Sequence, residues 1–167
     1  MRSPSIDHEP SLIARFAAKA GELGASVDWA TPDTLQRQVP PDTVVVGSAR
    51  GLLVGAARPA AKIASFPDVV ALGEFGVAET GSVLLAEDTH DRATCLLAER
   101  LWLLLRKEQI VASLDEALED AKTLIAAGTR HLTFVSGPSR TGDIERVLTM
   151  GAHGPRELRI VLLEGRE

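Results

Sequence analysis

The chain has 167 residues, 45% of them hydrophobic, and its 18 Lys plus Arg against 23 Asp plus Glu give a net charge of −5. That length and apolar content exclude a disordered chain and suffice for one sizeable core that buries roughly 70% of the unfolded surface. No dense Lys/Arg block occurs, and four Phe, two Trp and no Tyr do not supply the positive stripe and stacking rings of a nucleic-acid binder.

Residues 1–10, with two prolines and mixed charges, read as a flexible leader, and the single domain is expected over 11–167. No basic stretch runs into an apolar one, so no signal peptide is expected. In "SLIARFAAKAGELGA" the apolar residues Leu12, Ile13, Phe16, Ala17, Ala20 and Leu23 recur at helical spacing, with Gly24 as the stop. Thr31 before Pro32 predicts a capped second helix to about Gln38. The β-branched burst at 43–47, "TVVVG", predicts a buried strand. The next segment gives only weak signals for strands, around 51–54 and 62–64.

"GVAETGSVLLAE" reads as extended chain, a turn near 79–81 and a strand over 82–86. "EDTHDR" at 87–92 clusters Glu87, Asp88, His90 and Asp91 without defined ligand spacing. A solvated connection is expected there rather than a cation site. The lone Cys95 lies beside leucines, which favours a buried thiol and rules out an intrachain disulfide or cysteine cluster. The oily run "CLLAERLWLLL" is interrupted by Glu99 and Arg100 and is too short to cross a bilayer, so neither membrane insertion nor secretion is expected and a cytoplasmic location follows. Its "LWLLL" is a strand; Trp29 and Trp102 are expected in a core or interface.

Ser113 and Glu116 stand at capping-box spacing before an amphipathic helix whose end, Gly128, is expected to be left-handed. The remainder reads as strand 131–135, a short helix around Ile144, Val147 and Leu148, and strand 158–163. Unbroken apolar strands alternating with helices need cover on both faces, which predicts an α/β fold.

Chemistry concentrates in "SGPSRTGDIE", where a strand is expected to meet a helix, the position at which α/β sheets commonly bind ligands. Gly137, Pro138 and Gly142 shape the loop. Ser139, Arg140 and Thr141 offer donors to a small anion, carboxylate or phosphate. Asp143 and Glu145 oppose that reading, because they already face the positive end of the expected helix. The loop lacks the lysine of a P-loop and the spacing of a dinucleotide fingerprint. A tight structural turn and an anion site are about equally supported. Glu79 in "AETGS" is a candidate base, nucleophile or magnesium ligand, or a plain turn carboxylate. His153, beside Gly154 in "GAHGP", is a candidate proton-transfer or carboxylate-binding residue. No metal site is expected.

Taken together, "VAETGSVLL", "HLTFVSGPSRTGDIE" and "GAHGPRELRIVLL" resemble the LUD domain family, most closely its lactate-utilization members, over about residues 75–165. The resemblance implies a three-layer α/β/α sandwich similar to the sugar-phosphate isomerase, CoA-transferase and formyltetrahydrofolate cyclo-ligase superfamily. It implies a place in the oxidation of L-lactate to pyruvate, beside two partner proteins with iron–sulfur motifs. The glutamate nucleophile of CoA transferases gives Glu79 a parallel. One cysteine cannot hold an iron–sulfur cluster and no flavin or nicotinamide fingerprint occurs, so no intrinsic cofactor is expected, and a small-molecule ligand is. Three functions therefore stay open: an accessory protein of lactate utilization, a stand-alone enzyme acting on a phosphorylated or CoA-linked metabolite, and a non-catalytic assembly domain. The oligomeric state stays open too.

Overall fold

The structure, a computed structural model, describes residues 11–53, 66–142, 148–150 and 154–164, and of residues 32, 141, 142 and 148–150 the backbone alone. The expected leader at 1–10 and the weak strand signal at 62–64 lie outside the described residues. In chain order the elements are α1 (Leu12–Glu22), β1 (Ser26–Ala30), α2 (Pro32–Gln38), β2 (Val44–Val45), a 3-10 turn (Gly47–Gly51), β3 (Phe66–Leu72), β4 (Phe75–Val77) and β5 (Ser82–Glu87). There follow α3 (Thr89–Leu96), β6 (Ala98–Arg106), a second 3-10 turn (Lys107–Gln109), β7 (Ile110–Val111), α4 (Leu114–Ala126), β8 (His131–Val135), β9 (Arg140–Gly142), β10 (Leu148–Met150) and β11 (Glu157–Leu163).

The caps read from the sequence at Thr31 and Ser113 form, and the structure adds one at Ser11. Ser11 accepts from the Ala14 amide at the start of α1, and Thr31 and Thr34 close a reciprocal capping box on α2. Ser113 accepts from Glu116 at the start of α4, so an otherwise orphaned donor is satisfied in each first turn. Gly24 and Gly128 follow α1 and α4 with φ of 94° and 100°.

A mixed α/β architecture results. Five strands form a wholly parallel sheet in the order β1-β11-β6-β3-β2. One face, with Val69, Leu103 and Ile160, packs on Phe16 of α1, Cys95 of α3 and Leu85 of β5. The other, with Val70, Trp102 and Val161, is covered by Leu35 of α2 and by Ala49 and Leu53 of the first 3-10 turn and its end. Cover on both faces lets "LWLLL" be apolar at every position.

Within one covering layer lies something periodicity did not announce, a second sheet in the order β7-β4-β5-β8. Its pairs β4·β5 and β5·β8 are antiparallel and β4·β7 is parallel. Helix α4 packs against β4 and β7, with Ala117 and Ala121 buried. β5 therefore has two sides to cover, and Val83, Leu84 and Leu85 are all buried.

Three sequence expectations are corrected. Residues 51–53 belong to a 3-10 turn and its end, not to a strand. The segment 89–92 is the start of α3 rather than a solvated connection, with Asp88 as its cap. The helix expected at 144–148 cannot include Leu148, which pairs with Gly142 in an antiparallel β9·β10 ladder; residues 143–147 lie outside the described residues. Trp102 is buried as expected, whereas Trp29 on the edge strand β1 is 46% exposed.

Candidate functional site

The loop between β8 and β9 is fastened at three points. Ser136 Oγ lies 2.6 Å from Ser82 Oγ at the start of β5. Gly137 has φ of 74° and backs onto α1, so closely that a methyl group on it would lie 2.6 Å from the Leu23 carbonyl oxygen. The Ser139 amide donates to the Pro155 carbonyl at 2.8 Å. Arg140 then donates through Nη2 to the Leu23 carbonyl at 3.0 Å, a favourable place for a cation because the end of a helix carries partial negative charge.

These fastenings leave the loop open on the side facing α3. A cavity of about 330 Å³ lies there, lined by Gly137, Pro138, Ser139, Arg140 and Gly154 from the loop side. Glu87, Arg92 and Cys95 line it too, with Leu101 and Phe134 among the apolar walls. The loop leads into β9 rather than into a helix, so this segment does not supply the donors expected from the amides of a helix start. Arg140 and Ser139 thus stand at the wall of a real cavity. Thr141 and Gly142 are in β9, their side chains not described, and Asp143 and His153 lie outside the described residues.

Glu87 is the residue the sequence reading undervalued. It closes β5, pairs across the ladder with His131 of β8 and is partly buried. Its Oε1 is enclosed, with no hydrogen-bond partner among the described residues. Burial raises the carboxyl above its ordinary range, donation from Cys95 lowers it, Asp91 raises it, Arg92 lowers it and Asp88 raises it; the net direction is upward. Glu87 also lines an adjoining cavity of about 220 Å³ with Ser48, Arg50 and Asp91. The signal that points to this side of the site is Asp88 directly after the strand "SVLLAE", a cap that starts a helix and sets Arg92 and Cys95 three residues apart on it, on neighbouring positions of one face.

Glu79 is elsewhere. It is exposed, does not line the Arg140 cavity, and its Oε2 accepts from the Leu114 amide at 3.0 Å, at the positive end of α4. Next to it, Gly81 has φ of 66° and lies so close to α1 that a methyl group would come within 2.5 Å of the Ala20 nitrogen. The "AETG" motif therefore joins α1 and α4 to the second sheet. The acidic cluster of "EDTHDR" divides its tasks: Asp88 caps α3 through the His90 and Asp91 amides. Asp91 accepts from the Gly47 amide at 2.9 Å and pairs with Arg50 at 3.2 Å. Among the described residues no group of three His, Cys, Asp or Glu is placed to hold a metal, and no helix is long and apolar enough to cross a membrane.

Residues 70–163 match the LUD domain family. Among curated proteins, lactate utilization protein C of Deinococcus radiodurans is 36% identical over 89 residues, covering 52% of this chain and 42% of that protein. Lactate utilization protein C of Bacillus licheniformis is 32% identical over 101 residues, with 58% and 42% covered. Uncharacterized protein YkgG of Escherichia coli is 32% identical over 99 residues, with 57% and 43% covered. The matches thus span less than half the length of these relatives. Among solved structures, a DUF162 family protein from Deinococcus radiodurans superposes with a TM-score of 0.61 at 17% identity, covering 92% of this chain and 96% of that one. At that identity the likeness concerns the fold alone.

Proposed function

From the premise that this chain belongs to the LUD domain family, we propose that it is a cytoplasmic accessory protein of L-lactate utilization, holding a small carboxylate and acting beside iron–sulfur partner proteins. The observation that carries the reading is the cavity of about 330 Å³ with Arg140 and Ser139 on its wall. That volume lies at the small end of ligand pockets, and a guanidinium is the side chain best shaped to grip a carboxylate. Ser139, Arg140 and Thr141 form the proposed anion-binding set, and the same reading puts the layered sheets in the sugar-phosphate isomerase, CoA-transferase and formyltetrahydrofolate cyclo-ligase superfamily. A stand-alone enzyme acting through Glu79 is the weaker reading, because that carboxylate does not line this cavity.

Calorimetric titration with L-lactate and pyruvate tests the binding claim. Saturable binding of at least one is expected, weakened about tenfold or more in Arg140→Gln. Purification from lactate-grown cells is expected to bring iron–sulfur proteins with it. Failure to bind either acid, together with unchanged growth on lactate after deletion, would overturn the proposal.

A further inference from the structure

We propose that Arg92 of α3 is a second anion-recognition point of the Arg140 cavity, and that the cavity takes a small dicarboxylate with one carboxylate on each guanidinium. The inference rests on the carboxylate reading above and adds to it a second negative charge and the residue that receives it.

The charged side chains that line the cavity of about 330 Å³ are Arg92, Arg140 and Glu87. Both arginines are exposed, so a ligand can reach their guanidiniums. Neither is ion-paired with another described residue. Burial moves the Glu87 carboxyl toward its neutral form, against the pull of the Cys95 thiol and Arg92 and with the push of Asp91 and Asp88. It therefore opposes the two cations less than an ordinary carboxylate does. A monocarboxylate on Arg140 leaves the charge of Arg92 unanswered in the same cavity. A second carboxylate on the same ligand answers it.

The arrangement favours two carboxylates over one doubly charged group. Arg140 is tied through Nη2 to the Leu23 carbonyl at 3.0 Å, whereas Arg92 is carried by a different element, α3. A guanidinium presents several donors in a planar fork, so Arg140 keeps donors for a ligand after that bond. Each fork matches one carboxylate. The cavity volume is that of pockets that hold ligands larger than a three-carbon acid, which leaves room for the second group. Leu96 of α3, 43% exposed, and the half-buried Val135 of β8 also line it. Their apolar surface suits the methylenes that join two carboxylates.

The test is calorimetric titration of the intact chain, at neutral pH and one ionic strength, with succinate, monomethyl succinate and inorganic phosphate. Monomethyl succinate keeps the skeleton and loses one charge. Wild-type protein is expected to bind succinate about tenfold more tightly than the monoester. Arg92→Gln, a change at an exposed position, is expected to bring succinate down to the level of the monoester. Arg140→Gln is expected to weaken both. Equal binding of succinate and the monoester by wild type, lost in Arg140→Gln, would overturn the role of Arg92 and leave the carboxylate reading standing. A preference for succinate that survives Arg92→Gln would also remove Arg92 from the site. Phosphate binding as tightly as succinate would overturn the division of charge between two carboxylates. No binding of either organic acid would count against both readings.

Discussion

Two enclosed carboxyl groups in this molecule meet opposite fates. Asp68, near the start of β3, accepts from Arg100 Nη2 at 3.0 Å and from the Trp102 indole at 2.8 Å. The guanidiniums of Arg159 and Arg100 lie 4.9 and 5.9 Å from the centre of the Trp102 ring. Burial pushes Asp68 up, but those two hydrogen bonds and the charges of Arg100 and Arg159 outweigh it and hold the carboxyl below its usual range. Glu87, closing β5, has the Cys95 thiol as a donor, like charges nearby, and a net shift upward. A saturated carboxylate belongs to the fold. The unsaturated one lies enclosed at a cavity wall, at a cost in stability.

The largest expected effect sharpens the first half of that contrast. Asp68→Asn leaves the partly buried Arg100 with only the exposed Glu157 at 3.6 Å as a counter-charge, and breaking such a pair is expected to cost about 3 kcal/mol in urea unfolding. The sign of the pH dependence follows from the lowered folded value. The stabilisation by ionised Asp68 is complete above the unfolded value near 3.8 and is lost as pH falls through the folded one. Acid unfolding is therefore expected to be steeper in wild type than in Asp68→Asn.

Glu87→Leu is expected to move the other way, stabilising the ligand-free chain by about 1 kcal/mol by removing a buried, unpaired oxygen. A raised folded value means that wild type is favoured below the unfolded value of 4.5 and loses that contribution as pH rises through the folded one. The slope is expected to vanish in Glu87→Leu and in Glu87→Gln. If Glu87→Leu instead destabilised the chain as Asp68→Asn does, the contrast between the two groups would break.

The same contrast explains what the sequence made legible. Helices α1, α2 and α4 announce themselves through local signals: apolar residues at helical spacing in α1, a hydroxyl cap before proline in α2, and both a cap and an apolar face in α4. Helix α3 does not, because its buried face is Asp91, Thr94 and Cys95, and a polar face leaves no apolar period to find. Strand β1 is hidden for a related reason. Its Asp28 and Trp29 are exposed, and it is a strand because β11 lies beside it with five paired positions. In the site, Gly137 and Pro138 mark the loop and Arg140 its charge. The enclosure of Glu87 depends on α3 packing against β5 and β6, contacts that no local pattern encodes. The hairpin β9·β10 is likewise a pairing between segments, and helical periodicity at Ile144, Val147 and Leu148 points the wrong way for Leu148.

The smallest expected effect belongs to the motif that looked most chemical. Glu79→Ala removes an exposed acceptor from the Leu114 amide and a negative charge from the positive end of α4. Ser113 still caps that helix through the Glu116 amide, and Glu116 still reaches back to the Ala112 amide at 2.9 Å, so the loss is shared among three groups. About 0.5–1 kcal/mol is expected in thermal unfolding, with carboxylate affinity unchanged because Glu79 does not line the Arg140 cavity. Paired with Glu87→Leu, this variant separates the two glutamates by opposite signs of stability: one costs it, the other gains it. Should Glu79→Ala abolish pyruvate binding while the chain remains folded, the chemistry would have to move to the start of α4.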